Sequence, residues 1–444
     1  MEIKFVKSDR MDLVGGAGLS LIGQLLSRYT TLGKDLTRQF PKRTGAISTG
    51  DVAVAYVATL CTGKSDFEAV STLKDKVMMP ESLGIETFPS PVTVRQRLDE
   101  GADLYMHYVQ RATGDLLRKS KAPITALSTG HVALDVDVTP LDNSNTKKEG
   151  IGWTYKQFNG YAPIAAYLGE EGWALGFELR EGTQHCQKET PAFLARVIPL
   201  AQRLAGRPVL LRLDSGNDAL ENYALAQGLG VDFLAKHNWR TENLDVWADK
   251  AYAKPESAWS HPRDGKRVVR LSEWQERTAK VDGQNVTVRL RMVVEVSERT
   301  TDPQGNQLLL PLVGVDAWMT SLDLVEEKVI ALYRDHGTSE QFHSEMKSEL
   351  ELERLPSGKF VTNALILEMG VLAYNLLRLM GQVGLQGYKQ RHESKRRRLR
   401  TVIQELLCVA ARVVHHAGQV AYAFGRNCLA FDRLVMLRAR FSGG

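Results

Sequence analysis

Two short stretches decide what this chain can fold into. From Val132 to Thr139 the side chains alternate strictly: Val132, Leu134, Val136 and Val138 fall on one face, and Ala133, Asp135, Asp137 and Thr139 on the other. That is the period of a strand, and it puts two carboxylates on one side of a sheet. Pro208–Leu213 is instead a near-continuous apolar run that ends in Asp214-Ser-Gly-Asn. Such a run reads as a buried parallel strand that delivers a polar residue to the carboxyl edge of its sheet. Gly160–Leu168 and Gly172–Leu179 read as two further strands around the Gly169–Gly172 turn, which completes a three-stranded meander. Thr190–Leu204 reads as an amphipathic helix, Ala219–Gly228 as a short helix and Val231–Lys236 as another strand. The resulting order, β-β-β-α-β-α-β, predicts an α/β core.

After Asn238 the character changes. Arg267–Leu271, Val286–Val296 and Leu308–Trp318 are rich in strand formers, and Asp282-Gly283 and Asp302-Pro-Gln-Gly305 supply turns, so residues 238–322 read as a β-rich insertion. The segment Ala331–Leu352 follows. Thr338 with Gln341 reads as a capping box, so a helix is predicted to start just after Gly337, with Phe342, Met346 and Leu350 as its apolar stripe. Seven residues are nearly two turns, which lines up Glu340 and Lys347 on one face with His343 and Ser344 between them. On an arbitrary helix such a pair is a solvated face; here Tyr333 and His336 lie just upstream, and two strand aspartates lie far earlier.

The spacing of Tyr333, His336, Glu340 and Lys347 resembles the Tyr-(2)-Arg-(3)-Glu-(6)-Lys signature of bacterial insertion-sequence DDE transposases. Every spacing is kept, and the one departure is His336 where the family has arginine. Arg334 could substitute for it only from a different point on the turn. The resemblance spans roughly Val132 to Lys347 and implies a ribonuclease-H-like core, 126–237 and 323–360, interrupted by the β insertion and flanked by helical regions at 1–125 and 361–444. It implies Asp137 (before Thr139), Asp214 (in Asp-Ser-Gly) and Glu340 as catalytic, metal-holding carboxylates. Asp135, on the same strand face, is the rival to Asp137, and Glu345 the poorer rival to Glu340. Tyr333, Arg334, His336 and Lys347 would then meet DNA phosphates, and His185 and Lys188 follow the third strand closely enough to face the site.

Three carboxylates among the many of a 444-residue chain are weak evidence, but their placement on a first strand, a fourth strand's end and a helix after an insertion is stronger. Hydrolysing a phosphodiester, itself an anion, needs an activated water and relief of charge on the leaving oxygen. Two Mg²⁺ ions held by carboxylates supply both, and Mn²⁺ substitutes for them. The implied partners are double-stranded DNA, as element ends and as target, and a second copy of the chain in a homodimer that brings two ends together.

The flanks read as DNA-binding helices. Residues 12–125 carry amphipathic runs at Leu19–Leu32, Asp51–Cys61 and Ala102–Arg118. Pro89–Arg97 reads as a turn and a short capped helix bearing Arg95 and Arg97, as in the second helix of a helix-turn-helix. Beyond Leu352, Val361–Val383 and Leu399–Val414 read as helices either side of a break at Gly384 and Gly387. Between them Lys389–Arg400 holds seven basic residues against Glu393 alone. Arg396, Arg397, Arg398 and Arg400, with Lys395 just before them as a further DNA contact, crowd into little more than one helical turn, where the four arginines would repel one another unless a polyanion neutralised them. The formal charge of +5 says less than this local patch.

The 43 % hydrophobic content suits a globular core. Cys61, Cys186, Cys408 and Cys428 form no C-x-x-C pair, which argues against a zinc ribbon or a disulfide frame and leaves them as small core residues. The longest apolar segment, Leu365–Met380, is broken by Glu368, Asn375 and Arg378, and the N-terminus lacks a secretory apolar region. A cytoplasmic, nucleoid-associated protein with no membrane partner is expected. Two rival readings stand beside the transposase: a transposase-derived DNA-binding protein that does not cut, and a carboxylate enzyme of another class, such as a glycoside hydrolase.

Overall fold

The computed structural model describes residues 13–42, 45–74, 78–240, 242–281, 283–302, 304–385, 396–416 and 419–443. Lys395, Gly387, Asp282 and Pro303 lie outside the described residues.

One nine-stranded sheet organises the molecule. Its strands in chain order are β1 (Val132–Val138), β2 (Ile164–Leu168), β3 (Trp173–Glu178), β4 (Val209–Leu213), β5 (Asp232–Lys236), β6 (Ser260–Arg263), β7 (Lys266–Val281), β8 (Gln284–Thr301) and β9 (Gln307–Thr320). In space they run β6-β7-β8-β9-β5-β4-β1-β2-β3. The half containing β1 to β5 therefore has the order 3-2-1-4-5, with β2 and β3 antiparallel to their neighbours and β1, β4 and β5 mutually parallel. Parallel neighbours need crossovers, and the helices α3 (Thr190–Ala205) and α4 (Leu220–Gly228) provide them. Asp214 begins where β4 ends, and Asp137 is the penultimate residue of β1 beside it.

Two strand expectations change. Gly160–Leu168 is not one strand: Asn159–Tyr161 joins Leu141–Asp142 and Gly152–Trp153 in a separate small sheet, and β2 starts only after Pro163, which has no N–H to offer a ladder. The insertion strands are much longer than their apolar runs, at 16, 18 and 14 residues for β7, β8 and β9. They also extend the core sheet rather than standing apart from it, because Trp318, Met319 and Thr320 of β9 pair antiparallel with Lys236, Ala235 and Leu234 of β5.

The helical flanks form on either side of the sheet-bearing segment. Thr49–Cys61 (α1) is buried all round rather than amphipathic. The helix that Ser90 caps, accepting from the Thr93 amide, is not short: it runs as α2 from Pro91 to Lys119. Helix α7 (Phe360–Gly384) packs against α2, α1 and β3, so a single buried cluster joins N-terminal, sheet and C-terminal residues. By length and composition α7 could cross a membrane, but its most apolar window is 83 % buried inside the protein, as a core helix is. The helix expected over Leu399–Val414 stops at Leu407, and Ala410–His416 and Gln419–Phe424 pair as an antiparallel hairpin instead. Ala411 and Val413 face inward and Arg412 outward, a strand period that wins over helix there. Cys61 is buried as expected of a core cysteine, but Cys408 is exposed.

Candidate active site

The carboxyl edge of β1 and β4 gathers the polar residues. Two strand positions before the edge, Asp135 is 2 % exposed and receives Arg212 of β4 through two bonds, Nε to Oδ1 at 2.5 Å and Nη2 to Oδ2 at 2.7 Å. Arg212 also donates to the Leu332 carbonyl at 2.7 Å, and His336 Nδ1 lies 3.0 Å from Asp135. Against the cost of burial, Arg212 and His336 hold the Asp135 carboxyl down to about 2. Asp135 is thus an internal tie that fixes the helical segment after Leu332 onto the sheet.

Asp137 differs although it shares that strand face. Its neighbours are His343, with Nε2 3.4 Å from Oδ2, and the charge of His336. Burial pushes its carboxyl up, and the two imidazoles with the Val138 amide more than offset the push, so it lies below the usual range. Asp214 moves the other way: burial first and the Asp137 charge second raise it, while the Asn217 side chain, the Gly216 amide and His336 pull back only in part. The two carboxylates therefore lie close enough for the charge of Asp137 to act on Asp214, and among the described residues no arginine or lysine forms an ion pair with either. Cys186, whose thiol donates to the Gly216 carbonyl at 2.9 Å, feels the Asp214 charge as well.

The helical segment changes its winding three times. Helix α5 (Glu326–Arg334) passes into a 3₁₀ turn at Asp335–Thr338, then α6 (Ser339–Ser344), then a π turn at Glu345–Glu349. Backbone at Arg334 and Ser339 is already helical, so the start expected after Gly337 is a change of winding rather than a capped beginning. Phe342, Met346 and Leu350 are buried as the stripe requires. On the other side His336 meets Asp135, His343 meets Asp137, and Lys347 Nζ donates to the Pro140 carbonyl at 2.6 Å. Glu340 sits within that sequence of contacts, four residues after His336 and three before His343, and its side chain is exposed. Glu345 is 1 % exposed and bound to Arg378 at 2.6 Å, a structural pair inside the protein.

Tyr333 lies near both aspartates, and burial with their charges raises its hydroxyl. Burial lowers the Lys347 ammonium, with Glu353 and Asp137 opposing. His336 is 7 % exposed and its Nδ1 lies 3.0 Å from the buried Asp135 without an aligned hydrogen bond, so that nitrogen faces the protein interior rather than a phosphate. Arg334 points elsewhere, to Glu295 of β8 at 2.9 Å. Arg95 stacks on Phe67 at 5.4 Å and lies 3.8 Å from Glu68 at the start of α2, and Arg97 follows it on that helix.

The arginine run is not one helical turn, since Arg396 to Arg398 precede the helix at Leu399. Its charge is met from within: Arg396 lies over Phe342 at 4.4 Å, donates to Gln341 at 2.8 Å and approaches Glu345, and Arg398 and Arg400 converge on Glu349 at 2.6 and 3.9 Å. The Arg397 carbonyl accepts from Arg378. His185 turns back onto the Gln187 amide of its own loop, and the Lys188 amide donates to the His185 carbonyl.

Sequence reasoning missed two contributors. Arg212 interrupts an otherwise apolar buried strand, a charge that demands a partner, and strand register sets it opposite Asp135. Tyr155, though 62 % exposed as a residue, tucks its hydroxyl onto the Val138 carbonyl at 3.0 Å near Asp137 and Asp214, and the covering of that hydroxyl, with both aspartates, raises it. Only its place in a loop of exposed aromatics with Trp153 could have flagged it.

The oxygen donors of Asp137 and Asp214 fit a hard divalent cation, whose charge would remove the repulsion that raises Asp214. Among the described residues no three His, Cys, Asp or Glu side chains gather closely enough to enclose an ion, so Glu340 is not drawn onto the aspartates.

The model of the family described as transposase DDE domain, group 1, matches residues 12–442. No curated protein matches the chain. Among solved structures the chain is similar to the cryo-EM structure of a piggyBac transposase synaptic complex with hairpin DNA, at 10 % identity and a TM-score of 0.42, over 88 % of this chain and 79 % of that one.

Proposed function

The chain belongs to the transposase DDE domain family, group 1, and from that premise we propose that it binds the terminal inverted repeats of an insertion sequence, cuts DNA there and joins the freed 3′ ends to a target. The observation that carries this reading is the placement of Asp137 and Asp214 side by side at the carboxyl edge of β1 and β4, with Asp214 raised by burial first and by the Asp137 charge second. The strand order 3-2-1-4-5 of β1 to β5 supports a ribonuclease-H-like core.

Asp137, Asp214 and Glu340 would hold two Mg²⁺ ions, which activate water and relieve charge on the leaving oxygen when bound. The chain's own groups do the rest. Arg212 and Asp135 lock the helical segment against β1, which fixes where Glu340 and Lys347 stand relative to the aspartates. Lys347, anchored on the Pro140 carbonyl, places a cation beside Asp137 where a phosphate can meet it. Tyr333 and Tyr155 border the same edge and can position the strand to be cut. Water attacks phosphorus and gives up a proton as the 3′ oxygen leaves and takes one. That 3′ hydroxyl then attacks a target phosphodiester, losing its proton as the new bond to phosphorus forms and the target's own 3′ oxygen leaves and is protonated. Two ends held together call for a homodimer on DNA, with the arginines at 396–400 engaging the duplex.

Labelled DNA from the flanks of the coding region, incubated with the full-length protein and Mg²⁺, tests the reading. End-specific 3′ hydroxyls that disappear in a chelator are expected. Tight end binding without cutting under any divalent ion would instead return the non-cutting DNA-binding protein.

A further inference from the structure

One residue beyond the Asp214 turn, a second polar constellation opens along the same sheet edge. Asn217 binds Asp214 through its amide and its side chain, and the next residue, Asp218, forms part of a cavity of about 340 Å³ lined also by Tyr223, His237, Asn238, Arg240 and Arg277. Asp218 is 8 % exposed and already accepts from the Tyr223 hydroxyl at 2.6 Å and the Asn238 amide at 2.8 Å. Its remaining neighbour is His237 Nδ1 at 2.7 Å. A carboxylate can only accept, so Nδ1 carries the hydrogen and the ring is locked, leaving Nε2 for something else. His237 is 6 % exposed, yet Nε2 has no aligned hydrogen-bond partner among the described residues. The Glu242 carboxylate, a side chain of the cavity rim and 45 % exposed, comes within 3.3 Å of it but off the line of a bond.

Two guanidinium groups converge on the same space from different elements. Arg240, in the loop after β5, spends one donor on the Asp218 carbonyl at 2.9 Å, and Arg277 of β7 spends one on Gln275 at 2.9 Å. Each keeps further N–H donors. Both stand close enough to the buried Tyr223 hydroxyl to counter part of the rise that burial and Asp218 impose on it. The opposing charges at the cavity are Glu221 and Glu242, on its lining beside the arginines, and Asp218, whose carboxylate is taken up by Tyr223, Asn238 and His237.

We propose that this cavity is an oxyanion site that takes a backbone phosphate of the DNA strand passing Asp214, held by Arg240 and Arg277, with His237 as the third contact in its doubly protonated form, Nδ1–H on Asp218 and Nε2–H on the phosphate. Paired guanidinium forks suit the oxygens of a phosphate, and Glu242 occupies in the free protein the side of the imidazole that the phosphate takes over. A strand with one phosphodiester at Asp137 and Asp214 carries its neighbours along the same edge, so the source of the phosphate rests on the transposase reading, while the oxyanion chemistry does not.

The test uses the full-length protein and two probes. Inorganic phosphate, titrated into protein labelled with ¹⁵N-histidine, is expected to shift the His237 ring signal in the parent and not in Arg277→Gln. With duplex DNA from the flanks of the coding region, Arg277→Gln is expected to weaken binding roughly tenfold or more and to lower the log–log salt slope by about one. A scan of single neutral methylphosphonate linkages should find one position costing the parent the same factor and costing Arg277→Gln nothing further. Unchanged affinity and slope in Arg277→Gln, or no position that turns silent, overturns the proposal. A parent protein that cuts no DNA with any divalent ion but keeps the Arg277-dependent position sinks the transposase reading and leaves this site standing.

Discussion

Two sets of carboxylates within a few residues of each other meet opposite fates. Asp135, Glu345 and Glu349 are all buried, and each faces arginine: Arg212 for the first, Arg378 for the second, Arg398 and Arg400 for the third. Asp137, Asp214 and Glu340 stand one or two strand positions, or one to two helical turns, away and are given no arginine by the described residues. A buried acid with a cation supplied by its own chain is structure, since removing either partner strands a charge. Asp214, which burial and the Asp137 charge raise, is destabilised as it stands and calls for a cation from outside. The comparison separates Asp135 from Asp137 and Glu345 from Glu340, pairs that composition and strand period leave on equal terms.

The largest effects should fall on the unpartnered set and appear in chemistry alone. Asp137→Asn, Asp214→Asn and Glu340→Gln are each expected to lower end cleavage by about 10³-fold or more, equivalent to about 4 kcal/mol of barrier, with end binding kept and the protein still folded. Cleavage assays with denaturant melts on the same preparations check this. An Asp137→Asn protein that cuts like the parent would break the distinction at its centre.

The partnered set should fail in folding. Glu345→Ala leaves Arg378, 1 % exposed, without its carboxylate, and a loss of about 3–5 kcal/mol in unfolding free energy is expected from urea denaturation. A loss below about 1 kcal/mol would mean that the Tyr374 hydroxyl, 2.6 Å from the same guanidinium nitrogen, suffices to hold it.

How much of this was legible in the sequence follows from what each signal reports. Strand period and the apolar run before Asp214 located the two aspartates and the strand order, because side-chain alternation and burial are local properties. Helix spacing put Glu340, His343 and Lys347 on one side for the same reason. The ends of the insertion strands were not legible, since β7 and β8 pair along their full length through polar residues such as Glu276, Arg277, Arg289 and Arg291 that carry no strand signature. The arginine run misled because repulsion was weighed inside the run alone, whereas Glu345 and Glu349 approach it from 50 residues earlier. Arg212 was passed over because its partner is set by register between strands 77 residues apart.

Arg398 sharpens the comparison from the basic side with a smaller effect. Its side chain is 55 % exposed even though its partner Glu349 is 1 % exposed. Glu349 keeps the Arg400 amide at 2.8 Å and the Arg400 side chain at 3.9 Å, so Arg398→Ala does not strand it and is expected to cost no more than about 1 kcal/mol of stability. If the run also meets the duplex, the same variant lowers the salt slope of DNA binding by about one without changing sequence preference. An unchanged slope would make Arg398 a structural arginine.

The smallest expected effect is the most direct reading of the unpartnered state. Burial and the Asp137 charge raise the Asp214 carboxyl above its ordinary 3.8. An acid raised on folding has its stabilising contribution fully present below the unfolded pKa and loses it as pH rises through the folded one, so at neutrality the ionised Asp214 works against the fold. Asp137, lowered on folding chiefly because His343 and His336 outweigh burial, runs the opposite way and loses its contribution only as pH falls through its folded value. In a chelator, Asp214→Asn should therefore melt above the parent at pH 7, and the gap should close as pH falls toward about 4, near the unfolded carboxyl value. Mg²⁺ added at pH 7 should raise the parent more than the variant, because the cation does for the ionised pair what the substitution does by deleting one charge. A gap that is the same at pH 4.5 and 7, and indifferent to Mg²⁺, would show that Asp214 gains nothing by losing its charge, and the contrast between the two sets of acids would then rest on Asp137 and Glu340 alone.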